Sequence, residues 1–153
     1  MKENRVLIAN RGEIGYRIAR CAIDIGIDYK IVFAPEDEQN CLDLHDRQNT
    51  VPLKGRGIDA YLDEEQLLAI AKKENCNILH PGYGFLAESS RFAEKCCEAD
   101  IIWVGPSPDN LAIFGNKIEA TALAKKLQIF TLPSSPKLES SSDLKNFLRT
   151  LKE

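Results

Sequence analysis

The chain has no C-x-x-C pair, no long apolar run and no excess of basic residues, and each absence removes a class of protein. Five cysteines, Cys21, Cys41, Cys76, Cys96 and Cys97, are an odd number, and only His45 and His80 are available to join them as ligands. Neither a closed disulfide framework nor a metal site fits that pattern, so they read as reduced thiols packed as small core hydrophobes. Lys and Arg number 20 against 23 Asp and Glu, for a formal net charge of -3. Nucleic acids and anionic membranes attract a concentrated basic surface that is missing here, so neither is an expected partner. No apolar stretch approaches the roughly 18 residues needed to cross a bilayer. The start, Met1-Lys2-Glu3-Asn4-Arg5, leads directly into an apolar segment with no basic-then-apolar signal and no Arg/Ser-rich transit stretch, which points to a cytoplasmic location. What remains is 153 residues, 44% of them hydrophobic, enough to build one core without disulfide or metal staples.

Arg5 to Ala9 is a short apolar run of the kind that forms a strand buried on both faces, and it breaks at Asn10-Arg11-Gly12. A helix from Glu13 follows, with Ile14, Ile18, Ala22 and Ile25 on one face and Gly26 as its stop. Tyr29 to Ala34 and Thr50 to Leu53 read as strands, Cys41 to His45 as one or two helical turns, and Lys54 to Gly57 as a loop. Asp63 ahead of Glu64-Glu65-Gln66 is a capping pattern in which carboxylate and Gln exchange hydrogen bonds with free backbone amides. Asn77 to Leu79, a helix over Glu88 to Glu98, a strand over Ile101 to Val104, helical segments after Pro108 and from Lys117, and a last strand at Ile129 to Leu132 continue the alternation. Pro133-Ser134-Ser135-Pro136 marks a boundary, and Ser140 to Asp143 looks like the cap of a terminal helix through Leu151. This pattern predicts an α/β fold: an open, mostly parallel, Rossmann-like sheet over residues 1–133 with helices on both faces, followed by a Ser/Pro-containing linker and helical segment over 134–153.

Ligands of such a sheet meet the loops at the carboxyl ends of its strands, and three loops stand out. In Asn10-Arg11-Gly12-Glu13-Ile14-Gly15, Asn10, Gly12 and Gly15 occupy the three positions of a dinucleotide fingerprint, and Glu36 or Asp37 follows the second strand where a ribose would be held. The long Arg11 side chain stands where phosphate needs room, so a strand-to-helix turn is the favoured reading and NAD(P) binding the alternative. His80-Pro81-Gly82-Tyr83-Gly84-Phe85-Leu86-Ala87-Glu88 puts a polar anchor at a strand end, two glycines about an aromatic, and Glu88 at the opening of the next helix. His80 there either bonds to neighbouring loop backbone, which is favoured, or transfers protons. Gly105-Pro106-Ser107-Pro108 with Gly115-Asn116-Lys117 puts a lysine at a helix start, either solvated or directed at a phosphate.

Taken together, Ile8-Ala9-Asn10-Arg11-Gly12-Glu13-Ile14, His80-Pro81-Gly82-Tyr83-Gly84-Phe85-Leu86 with Glu88, and Val104-Gly105-Pro106-Ser107 with Gly115-Asn116-Lys117 resemble the amino-terminal (pre-ATP-grasp) domain of biotin carboxylase over residues 4–133. That domain also begins acetyl-CoA, propionyl-CoA, methylcrotonyl-CoA, pyruvate and urea carboxylases. The resemblance implies an ATP-grasp ligase that phosphorylates bicarbonate with MgATP and passes carbon dioxide to biotin held on a carrier protein. It implies that Lys117 contacts ATP and that Asn10, Arg11, Gly12, His80, Gly82, Tyr83 and Gly84 shape the cleft. Implied partners are the rest of the carboxylase chain, the biotin carboxyl carrier and the carboxyltransferase, and a second copy meeting the first helix at Arg20 and Asp24, which can also pair within one chain. The glycine-rich lid and the metal-holding carboxylates belong to later parts of that family, so these 153 residues are expected to hold no Mg²⁺ and to be inactive alone. A stand-alone, non-catalytic docking module derived from the domain is the other outcome weighed. Two departures are visible: Asn116 stands where the family usually has Asp, and Ser134 where it usually has Gly.

Overall fold

The computed structural model describes residues 4–135 and 137–151. They form two compact units that divide between Pro108 and Asp109.

The first unit is built on β1 (Arg5–Ile8), β2 (Asp28–Phe33), β3 (Thr50–Pro52), β4 (Ile78–His80) and β5 (Ile102–Trp103). All four pairings are parallel, in the order β3-β2-β1-β4-β5. Side chains alternate across a strand, and the two faces gather two separate cores. Leu7, Ala9, Val32, Ala34 and Leu79 point to one face, against α3 (Gly57–Leu62), α4 (Glu64–Lys73) and α5 (Ser90–Glu98). Val6, Ile8, Ile31 and Phe33 point to the other, against Ala19 and Ala22 of α1 (Gly12–Asp24) and Cys41 of α2 (Glu38–Leu44). The predicted fold class is therefore the observed one.

Several local expectations need correction. Asp63 caps α4 by accepting from the Gln66 amide at 3.0 Å, but the Gln66 side chain turns away to the backbone of Lys54, pinning that loop to the helix. The loop ends in α3, a short helix not anticipated. Glu88 lies in a turn before α5; the residue that caps this helix is Ser89, whose Oγ accepts from the Phe92 amide at 3.1 Å. Of the apolar face expected on α1, only Ala22 is buried, alongside Gly15 and Ala19, and Ile25 is 64% exposed. Cys41, Cys76 and Cys96 are core residues, whereas Cys21 and Cys97 are exposed; all five are free thiols. Burial pushes Cys41 and Cys76 up to about 11 and Cys96 up to about 12, so the buried thiols stay protonated at neutral pH.

One buried charge joins two helices. Glu64, at the start of α4, lies 2.9 Å from Arg91 and 3.1 Å from Lys95 of α5. Burial alone would raise its pKa, but these two cations hold it below the usual carboxylate range.

The second unit contains α7 (Lys117–Lys126) and α8 (Ser141–Thr150), with α6 (Pro108–Gly115) starting at the division. Ser140 caps α8 in a capping box with Asp143, as the serine-rich stretch suggested. The strand expected at Ile129 to Leu132 is not formed. Among the described residues of their unit there is no strand to pair with, and Phe130 is 90% exposed. Pro136, within the predicted boundary, lies outside the described residues.

Phe92 is fully buried in the first core and meets Trp103 edge-on at 5.7 Å. Phe92→Ala should cost about 3–5 kcal/mol in urea unfolding, as a large-to-small change in a closed core.

Candidate functional site

In an open parallel sheet the site lies where neighbouring strands send their connections to opposite faces. Here that point is between β1 and β4, whose loops leave side by side: the Ala9 amide donates to the His80 carbonyl at 2.9 Å. Asn10 follows, with 4% of its surface exposed. Its Nδ2 donates to the carbonyls of Pro81 at 2.7 Å and Tyr83 at 2.9 Å, and its Oδ1 accepts from the Arg11 amide at 2.9 Å. Gly82 is required by this contact. Its φ is +71°, and a Cβ there would stand 2.5 Å from Asn10 Nδ2 and 2.8 Å from Ile14 Cγ2.

His80 anchors its own loop, accepting at Nδ1 from the Gly82 amide at 3.0 Å. That bond needs an unprotonated Nδ1, and burial holds the imidazole below the usual histidine range. The buried His45, with its Nδ1 3.3 Å from the Tyr29 hydroxyl, is lowered for the same reason.

The Arg11 side chain is held by residues of other elements. Its guanidinium lies 2.9 Å from Asp37, which follows β2, and its Cζ stands 5.6 Å and 5.8 Å from the ring centroids of Tyr61 and Phe85. Those rings stack on one another at 5.0 Å. The Tyr61 hydroxyl donates to Asp37 at 2.8 Å and accepts from the Ala34 amide at 3.0 Å. Burial pushes the Tyr61 phenol upward, and the Asp37 hydrogen bond raises the Arg11 pKa further. Glu36, the other acid after β2, accepts from the Gly57 amide at 3.2 Å and pairs with Arg56. Both carboxylates that would serve a ribose in the NAD(P) alternative are thus already engaged, and the alternative has no support in the geometry.

The two loops enclose an open cavity of about 360 Å³ lined by residues 10–14 and 83–85. Gly12, with φ +57°, and Gly84 border it without side chains, and Tyr83 beside them is 67% exposed. A larger apolar groove of about 520 Å³ runs from Tyr83 along α1, past Ile14, Ile18 and Cys21, to Ile78 and Val104.

The remaining predicted residues lie elsewhere. Arg20 Nη1 bonds the Tyr16 hydroxyl at 3.2 Å on the solvent side of α1, and no ion pair joins it to Asp24 among the described residues. Lys117 is the exposed first residue of α7, in the second unit. Asn116 caps that helix, its Oδ1 accepting from the Ile118 amide at 3.0 Å and its Nδ2 donating to Glu119 at 3.0 Å. Among the described residues no cluster of three or more His, Cys, Asp and Glu is placed to hold a metal ion, so the residues present do not fit a Mg²⁺ site. Sequence reasoning missed Asp37 as the partner of Arg11, Tyr61 altogether, and the stacking of Phe85, which it named only as part of the loop after the fourth strand.

The geometry defines a class: an open parallel α/β domain whose two central loops, tied to each other, rim a cavity at the switch point. Residues 2–111 match the model of the biotin carboxylase N-terminal domain, and the chain belongs to that family. It is 38% identical to biotin carboxylase 2 of Bacillus subtilis over 147 residues, which are 95% of this chain and 32% of that protein. Among solved structures, the biotin carboxylase domain of a single-chain bacterial carboxylase superposes with a TM-score of 0.87 at 38% identity, over 97% of this chain and 34% of that one. The biotin carboxylase domain dimer of the Hydrogenobacter thermophilus 2-oxoglutarate carboxylase, solved with MgADP, ADP and bicarbonate, gives 0.88 at 29% identity over 96% of this chain and 32% of that one. The chain spans only about a third of the length of these relatives, and 12% of the Bacillus subtilis pyruvate carboxylase it also matches.

Asn10→Ala leaves one buried and one half-buried carbonyl without a donor and should cost about 2–4 kcal/mol, read as a lowered urea midpoint; Gly82→Ala should cost at least as much through the clash. Stability should also fall with pH. The folded chain resists protonating His45 and His80, while the unfolded chain takes up protons near pH 6.5, so stability is lost as pH drops below that value. Melting followed between pH 7 and 5 should show this fall, and His45→Gln should flatten it.

Proposed function

We propose that this chain supplies one wall of the catalytic cleft of a biotin-dependent carboxylase, in which bicarbonate is activated with ATP and carbon dioxide is passed to carrier-bound biotin. The observation that carries the reading is the loop at residues 80–85, bound through Asn10 to the loop at residues 10–12, in a chain of the biotin carboxylase family. The ADP, Mg²⁺ and bicarbonate in the Hydrogenobacter thermophilus structure support the same chemistry.

On this reading the chain's residues position and neutralise rather than transfer protons. His80 is tied up in its loop, Arg11 in its ion pair, and the exposed Tyr83 ring with the bare backbone of Gly84 forms the rim of the cleft. Lys117 is the proposed nucleotide ligand: an ammonium at the amino end of a ten-residue helix offsets phosphate charge, and the helix dipole adds to it. Metal binding falls to residues outside this chain. The proposed partners are the remaining carboxylase polypeptide, the biotin carrier, the carboxyltransferase, and a second copy at the α1 surface bearing Arg20 and Asp24. A cytoplasmic location goes with that reading.

Titration of the isolated chain with MgATP in a calorimeter should give no saturable binding in the micromolar range, because one lysine is a small part of a phosphate clamp. Substituted for the corresponding region of Bacillus subtilis biotin carboxylase 2, the chain should support bicarbonate-dependent ATP cleavage. In that chimera Lys117→Gln should raise the KM for ATP about tenfold or more. Micromolar ATP affinity of the chain alone, or a KM unmoved by Lys117→Gln, would overturn the assignment.

A further inference from the structure

We propose that Arg11, Asp37, Tyr61 and Phe85 act as a pin that sets the conformation of the cleft loop after β4, which makes Arg11 a positioning residue and not a phosphate ligand. The inference deepens the carboxylase reading. Its test reads loop geometry alone, so it can fail while the family chemistry stands.

The argument begins with strain. Phe85 has φ +44°, a left-handed backbone that a bulky residue adopts only when its surroundings impose it. What holds it is its ring, stacked on Tyr61 at 5.0 Å with an interplanar angle of 16°. Tyr61 cannot move to release it: it is 1% exposed and its hydroxyl is bonded both to the Ala34 amide and to Asp37. Arg11 closes the arrangement from the side, with its guanidinium against both rings and two contacts to Asp37, at 2.9 Å and 3.2 Å. The cluster therefore joins the loops after β1, β2 and β4 through α3, whereas Asn10 joins only those after β1 and β4. Tyr83 and Gly84 lie between the two attachments, Asn10 on one side and the Phe85 ring on the other. Both contacts to Asp37 come from one nitrogen, Nη1, which a lysine could imitate; what lysine lacks is the flat head that lies against the two rings.

In the 15N-labelled chain, Arg11→Lys and Asp37→Asn should each shift the amides of Gly82, Tyr83 and Gly84. Arg11→Lys and Arg11→Gln should displace them alike, because charge without the planar head does not restore the pin. Tyr61→Phe, the mildest change, should speed exchange of the Ala34 amide about tenfold and move the same loop resonances. The amides of Ala22 and Tyr29, in the opposite core, should stay in place. Loop amides at wild-type positions in Arg11→Lys and Asp37→Asn would overturn the proposal. So would equal shifts at Ala22 and Tyr29, which would mean general loosening, and so would full rescue by Arg11→Lys. Should an Arg11 variant fail to fold, Tyr61→Phe decides alone.

Discussion

A single buried carboxamide, that of Asn10, satisfies the backbone on both sides of the switch point. Glycine-rich loops carry carbonyls that no ladder pairs, and a buried carbonyl without a donor costs about 1–3 kcal/mol. Asn10 answers two of them, at Pro81 and Tyr83, while its own oxygen receives the next amide of the first loop. Aspartate in its place would bring no donor, and glutamine would need a space that the Gly82 contact has already closed. The Asn-Arg-Gly and His-Pro-Gly stretches are thus two halves of one hydrogen-bonded object, though 71 residues separate Asn10 from Pro81.

The two faces of the sheet are finished to different degrees. On the face of Leu7 and Leu79, three helices close a continuous core whose centre is Tyr61, Leu67 and Phe92. On the other face α1 and α2 cover β1 to β3, and the outward side chains of β4 and beyond, Ile78 and Val104, line an open apolar groove with the flank of α1. This explains the burial pattern of α1. Small residues, Gly15, Ala19 and Ala22, face the sheet because the helix lies close to it: a Cβ on Gly15 would meet the tip of Ile31 at 2.6 Å. The larger Ile14 and Ile18 are displaced to the groove side.

Much of this was legible because strand-helix alternation and turn chemistry are local. The short apolar runs at Arg5 to Ala9 and Tyr29 to Ala34 gave their strands, and Asp63 and Ser140 gave their caps. What the sequence hid is what depends on distant residues. Ile129 to Leu132 has the composition of a strand but no partner strand, so composition misled. Gln66 follows a capping pattern, yet its side chain found the Lys54 backbone, a long-range competitor that no window of four residues reveals. At the candidate site the loops were identifiable from Gly, Pro and Asn, whereas Tyr61 lies on a helix the pattern did not announce and Phe85 stood only as one residue of its loop. Their stacking beneath Arg11 exists only once the sheet brings three loops together.

That arrangement also decides where phosphate charge can be met. An arginine after the first strand of a Rossmann-like sheet invites a phosphate-binding role, but this one, though it borders the cavity, is neutralised by Asp37, and Glu13 adds a carboxylate to the same lining. The first loop therefore offers an anion little. At α7 the balance is reversed. Asn116 supplies the cap acceptor that an aspartate would, without its negative charge, and its Nδ2 engages Glu119. An anion meeting the start of α7 would face a lysine and the amino end of a helix, with no negative charge on the cap residue.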